Sequence, residues 1–165
     1  MGNLAGHQVG DAIPNLGALL APYINAVPAV SLARFLARLE RGAADRYRYW
    51  ASLVPAHAPG LLECAAREDE IARRADALFA VVVEDLPAIE SALPQAREAY
   101  FQIFDGLEVS RQLQIQASAE REGSGAWLGL AEGANDADAK AELQALAALE
   151  IDNAEYLEQV VEALA

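Results

Sequence analysis

Residues 40–47 read Glu40-Arg41-Gly42-Ala43-Ala44-Asp45-Arg46-Tyr47, and residues 120–127 read Glu120-Arg121-Glu122-Gly123-Ser124-Gly125-Ala126-Trp127. Each segment sets a carboxylate, a small residue three positions on and an aromatic residue seven positions on. On a helix these positions share one face. Each segment therefore places a glutamate inside an otherwise apolar stripe. A second pair follows the same logic with an offset of 82: Glu68-x-x-Ile71-Ala72-x-x-Ala75 and Glu150-x-x-Asn153-Ala154-x-x-Leu157. Aligning Glu70 with Glu150 instead would bring Arg73 onto the stripe and put an Arg–Glu cluster in the core. Glu68 is preferred because its own stripe is apolar on both sides. A lone glutamate on such a stripe is ordinarily an edge residue with its head in water. Four of them, one near the middle of each stripe, are harder to explain that way.

Around these segments the chain reads as helix. Ala, Leu, Glu and Arg dominate, and Gly and Pro are read as lying between segments. Four helices of about 25 residues are predicted, each roughly 37 Å long: Ser31–Val54, Pro59–Val83, Leu107–Ala131 and Asp136–Leu164. Ser31 is a plausible N-cap, and Pro55 stops the first helix. The first two helices are joined by a short turn, as are the last two, which predicts two antiparallel hairpins. Between the hairpins lie residues 84–106, long enough to cross back along the molecule and containing a predicted helical piece, Gln95–Phe104. No stretch alternates as a half-buried strand would.

The 165 residues suit one domain, divided here into an N-terminal arm (1–30) and a helical body (31–165). With 54% hydrophobic residues the chain can bury a core. Twenty-five acidic residues against twelve basic ones give a charge of −13, which opposes binding to phosphate backbones, so no nucleic-acid partner is expected. The single cysteine, Cys64, excludes an internal disulfide and a cysteine-rich zinc site. No histidine near it in sequence activates it, so it reads as a small buried thiol. Residues 12–30 carry no charge, but Pro14, Pro22 and Pro28 interrupt them, and no Lys or Arg precedes Arg34. The expectation is a cytoplasmic protein without a membrane partner, its arm packed on its own body or on a second subunit. Arg67, Arg73 and Arg74 sit among Glu68, Asp69, Glu70 and Asp76 and read as a salt-bridged, solvated face. Gly123 and Gly125 mark a kink or a close helix contact. No phosphate loop, nucleophile elbow or zinc motif is present.

The glutamate pattern resembles the ferritin-like superfamily of ferritins, bacterioferritins and rubrerythrins. Their motif pairs a Glu-x-x-Ala-x-x-x-Tyr helix with a Glu-x-x-His-Ala helix and then repeats the pair. Glu40, Ala43 and Tyr47 match the first helix, and Glu150, Ala154, Glu155, Tyr156, Leu157 and Glu158 match the last. The third helix has Trp127 as its aromatic, and the second matches loosely. The resemblance spans residues 31–164 apart from the crossover. It implies an all-α, ferritin-like four-helix bundle of two antiparallel hairpins joined by a long crossover. It also implies a two-metal site of four glutamates and two histidines.

The candidate metal ligands are then Glu40, Glu68, Glu120 and Glu150, with Tyr47, Gln116, Asn153, Ile71 and Trp127 around them. The histidine positions hold Ile71, which cannot ligate, and Asn153, whose neutral carbonyl suits hard cations. His7 lies in the arm and His57 in a turn, so neither substitutes easily. Four buried carboxylates need cations or shared protons. The leading expectation is a degenerate ferritin-like protein without a standard di-iron centre and without a cofactor, serving as a binding or structural module. One alternative is an oxygen-only dimetal protein holding two Fe or Mn ions, acting as an oxidoreductase or ferroxidase with Tyr47 nearby. Another is a generic helical interaction module. A homodimer is the default assembly, with any protein or small-molecule partner unidentified.

Overall fold

The computed structural model describes residues 12–165 and is built of helices, with no strand among the described residues. His7 and the arm's first eleven residues lie outside the described residues. Six α-helices follow one another: α1 (Leu16–Ile24), α2 (Leu32–Leu53), α3 (Ala58–Leu78), α4 (Leu86–Gln102), α5 (Val109–Gly133) and α6 (Ala137–Leu164). Among the described residues, none of these is long and apolar enough to cross a membrane.

Several boundaries depart from the sequence reading. The arm contains a helix, α1, which packs on α4 and α5 of its own chain, so its burial needs no second subunit. The helix expected to reach Val83 stops at Leu78. The β-branched run Val81-Val82-Val83 favours extended backbone, and Phe79 has already left the helix at φ −122° and ψ 141°. Arg34 of α2 stabilises this end by donating to the carbonyls of Asp76 and Phe79, at 3.2 and 3.1 Å, and to the Asp76 carboxylate. Ser31 does not cap α2; its hydroxyl donates to Asp85 Oδ2 at 2.6 Å.

The crossover helix is longer than expected and runs through Pro94. Both Pro94 and Glu90, whose carbonyl loses its helical donor there, face water, so solvent meets the need. Gly106 at φ 73° turns the chain from α4 into α5. Asp136 caps α6 by accepting the Ala139 N–H at 2.7 Å.

Cross-helix contacts set the helix directions. Arg34 at the start of α2 meets Asp76 at the end of α3, so these helices are antiparallel. Trp127 reaches Glu150 while the earlier Arg121 reaches the later Glu158, so α5 and α6 are antiparallel too. The Glu68–Asn153 and Arg74–Glu142 contacts run α3 against α6. The Tyr47–Glu120 and Trp50–Gln112 contacts run α2 against α5. It follows that α3 and α5 point the same way, and the 79–108 segment carries the chain back between them.

The core has two halves. One gathers Phe35, Ile71, Trp127, Leu143 and Leu146; the other gathers Tyr47, Trp50, Leu61, Leu113 and Leu157. Each of α2, α3, α5 and α6 crosses from one half to the other. Glu40, Glu68, Glu120 and Glu150 stand at the four crossing points.

Candidate functional site

The polar layer between the two apolar halves is made by four carboxyl groups, one per helix. Glu68, Glu120 and Glu150 are almost wholly buried, and Glu40 opens partly onto a cavity beneath α1. One carboxylate oxygen from each of Glu40, Glu68 and Glu150 lies within 4.8 Å of the others. Glu120 is within hydrogen-bonding reach of Glu68 and of Glu150. The choice between Glu68 and Glu70 is decided by burial: Glu70 faces water and is bonded to exposed Arg73 at 2.8 and 2.7 Å.

Three of the four carboxyls are held by donors of their own. Glu120 Oε1 accepts from the Tyr47 hydroxyl and from Gln116 Nε2, both at 2.6 Å. Gln116 is in turn fixed by the hydroxyl of Tyr100, a residue of α4, at 2.7 Å. Glu150 Oε1 accepts from Trp127 Nε1 at 2.8 Å. The α5 backbone can approach Glu150 this closely because residue 123 is glycine; a Cβ there would stand 3.2 Å from Glu150 Oε1. Gly125 has open space where a Cβ would point. Glu68 Oε1 accepts from Asn153 Nδ2 at 2.5 Å, whereas Glu68 Oε2 is buried and receives no N–H or hydroxyl among the described residues, only neighbouring carboxyls.

Arg67 changes the meaning of Asn153. Its guanidinium donates to Asn153 Oδ1 at 3.2 Å and lies 3.8 Å from Cys64 Sγ. An arginine can only donate, so it turns the Asn153 carbonyl outward and the amide N–H toward Glu68. Asn153 is therefore a donor to the cluster. Arg67, expected on the solvated face, is partly turned inward. The sequence hint was its place directly before Glu68, at the edge of the buried stripe. Tyr100 was missed as well, although Ile89, Ala92, Ala96 and Tyr100 recur at threes and fours through the crossover, and all four are buried. Ile71 is wholly buried and apolar, and Trp127 is a donor to the layer. His57 ends a 3-10 turn beside the first hairpin, where its carbonyl accepts from Tyr156.

No salt bridge among the described residues reaches any of the four glutamates. Burial therefore dominates the chemistry of Glu40, Glu68 and Glu150. It raises the Glu40 carboxyl from its ordinary 4.5 to about 8, with the Glu120 charge adding and a hydrogen bond shared with Glu68 opposing. Burial likewise raises Glu68, helped by the charges of Glu120 and Glu40, and raises Glu150, helped by those of Glu40 and Glu68. Tyr47 is held protonated by burial and by the Glu120 charge. Burial and then Glu120 push the Cys64 thiol up to about 12, against the pull of Arg67, so it is a poor nucleophile.

A pH dependence of stability follows. Carboxyls with raised pKa values bind more protons folded than unfolded; the Glu40 contribution is full below pH 4.5 and fades as pH climbs toward about 8, and Glu68 and Glu150 act in the same sense. Each such group costs up to about 1.4 kcal/mol per pH unit across that window. The melting temperature should fall steadily over this range. Glu70, Glu142 and Glu158, lowered by hydrogen bonds to Arg73, Arg74 and Arg121, act in the opposite sense at more acid pH. Differential scanning fluorimetry at constant ionic strength reads both effects. A flat profile would contradict the burial argument.

Compared with known proteins, this chain matches no family model, no curated protein and no solved structure.

Proposed function

We propose that this chain is a ferritin-like carboxylate protein that binds divalent cations, with Mn2+ or Fe2+ foremost, in an oxygen-only centre. Glu40, Glu68 and Glu150 would be the principal ligands, and Glu120 would bridge toward Glu68 and Glu150. The observation that carries the reading is Glu68 Oε2, a buried carboxylate oxygen that no N–H or hydroxyl among the described residues reaches, set among the Glu40, Glu150 and Glu120 carboxyls. An isolated buried charge is costly, and a cation is the ligand that satisfies several carboxylates together. The directions of α2, α3, α5 and α6, with α3 and α5 parallel across a long connection, support the ferritin-like part of the reading.

The donor set fits a hard or borderline cation and does not fit an imidazole-containing di-iron centre. Ile71 is inert, and Asn153 presents N–H to the cluster. A redox-active metal, when bound, would supply one-electron chemistry beside Tyr47. The chain's own contribution is to orient Glu120 through Tyr47 and Gln116, to orient Glu150 through Trp127, and to keep bulk water away with two apolar half-cores.

A second reading is favoured by the same Asn153 and Ile71. The four carboxyls would hold shared protons, and the protein would be a metal-free binding or structural module. Elemental analysis of untagged protein purified without chelator separates the two. About one or two equivalents of Mn or Fe per chain, lost in Glu40→Ala, is the expected result. Metal near zero after anaerobic loading with Fe2+ and Mn2+ would leave the metal-free reading standing.

A further inference from the structure

The cavity beneath α1 holds about 100 Å³ and ends on the glutamate layer. Leu20 and Ile24 form its roof, Leu36 and Leu39 its α2 wall, and the Glu40 and Glu150 carboxyls part of its floor. An apolar cavity of about 150 Å³ accommodates benzene, so this one suits a smaller molecule. Its upper walls are mostly apolar and suit an alkyl chain, and its floor, which also includes Glu120 and Gln116, offers acceptors.

The roof is built to stay in place. Glu122 of α5 accepts from the backbone N–H groups of Leu16 and Gly17 at 3.1 and 2.7 Å. Asn15 accepts from Ala18 at 2.7 Å. Together they satisfy the free donors of the α1 N-terminus with a negative charge at its positive end. A Cβ on residue 17 would stand 3.2 Å from Glu122 Oε2, so the glycine lets this clamp close. A nine-residue helix in isolation is a marginal element; here it is fastened over one spot, the entrance to the carboxyl layer.

We infer that this cavity binds a short aliphatic molecule of roughly four to six heavy atoms. The tail lies under α1, and one hydrogen-bond-donating head rests on Glu40 and Glu150. The inference deepens the proposed function by naming its substrate class, and it rests on the glutamate layer being the functional centre.

1-Butanol and n-butylamine are suitable probes, because they share the tail and differ in the head. Titration into the full chain, followed by saturation-transfer NMR, should show saturable binding of at least one probe at about millimolar affinity. Ala43→Leu fills the cavity from α2 and should weaken that binding by roughly tenfold or more. Leu20→Trp, which fills it from the roof, guards against a single variant that misfolds; far-UV circular dichroism checks both. Failure of both probes to saturate, or equal affinity in folded filled variants, would overturn the inference. Metal content measured on the same wild-type sample reports separately on the cation centre. Absent metal with intact probe binding would sink the cation reading alone, and bound metal without probe binding would sink this one alone.

Discussion

Glu68→Gln should raise the melting temperature of the metal-free protein near pH 8 and weaken Mn2+ binding by at least about 100-fold. The two effects have one cause. Glu68 is wholly buried, its Oε2 receives no N–H or hydroxyl among the described residues, and Glu120 and Glu40 add like charge to it. A glutamine keeps the shape and can still accept from Asn153 Nδ2 through its own carbonyl oxygen. It also removes a group that must be either ionised in apolar surroundings or protonated at the expense of pH-dependent stability. Protein without metal therefore gains, while a site that needs an anionic oxygen at that position loses a ligand. Thermal melts with and without Mn2+, together with isothermal titration, read the pair. Unchanged Mn2+ affinity in this variant would falsify the assignment of Glu68 as a ligand. A lower melting temperature without metal would show that the carboxylate is better stabilised than its contacts indicate.

Trp50→Ala should cost about 3–5 kcal/mol of folding free energy, which for a chain of this length is a fall of roughly 10 °C or more. Trp50 is fully buried and packs edge-on against Tyr47 and Phe104, with ring centroids 5.5 and 5.3 Å away. Its Nε1 donates to Gln112 Oε1 at 2.8 Å, and the Arg46 guanidinium lies 5.4 Å from its ring centroid. Truncation leaves a large cavity in one half-core and removes one of two donors to Gln112 Oε1. Arg46 at 2.7 Å is the other, so the amide is not orphaned. The loss is therefore mostly packing, and Trp50→Phe should cost only a fraction of it. Because the defect sits in one half-core and not in the carboxyl layer, folded Trp50→Ala should keep its metal stoichiometry. Urea denaturation followed by elemental analysis checks both statements. A loss below about 1 kcal/mol would mean that this half-core collapses around the gap.

Several residues explain what could be read from the chain and what could not. Glu40 and Glu120 were legible because an eight-residue motif recurs 80 positions on, and helical spacing turns recurrence into a shared face. The four long helices followed from composition and period. Their ends were less legible. Val81-Val82-Val83 could have continued α3 as an apolar run; its β-branching weighs against that, and the capping of Asp76 and Phe79 by Arg34 from another helix fixes the end at Leu78. Pro94 directly precedes the helical piece expected from Gln95, and the helix runs through it because solvent reaches the carbonyl it leaves without a donor. Arg67 looked like one of three surface arginines. Its inward turn depends on Asn153, 86 positions away, and spacing within α3 carries no trace of that contact.

The sequence by itself determined the helical class and placed one glutamate at the middle of each long helix, because periodicity is a local property and survives without knowledge of neighbours. Only the tertiary structure decided how the four carboxyls face one another, that Asn153 presents its N–H to Glu68, that Glu68 Oε2 receives no N–H or hydroxyl among the described residues, and that α1 closes a cavity over them. Those outcomes depend on desolvation and on hydrogen bonds between residues as much as 106 positions apart, as between Leu16 and Glu122, and distances of that kind exist only once the helices have packed.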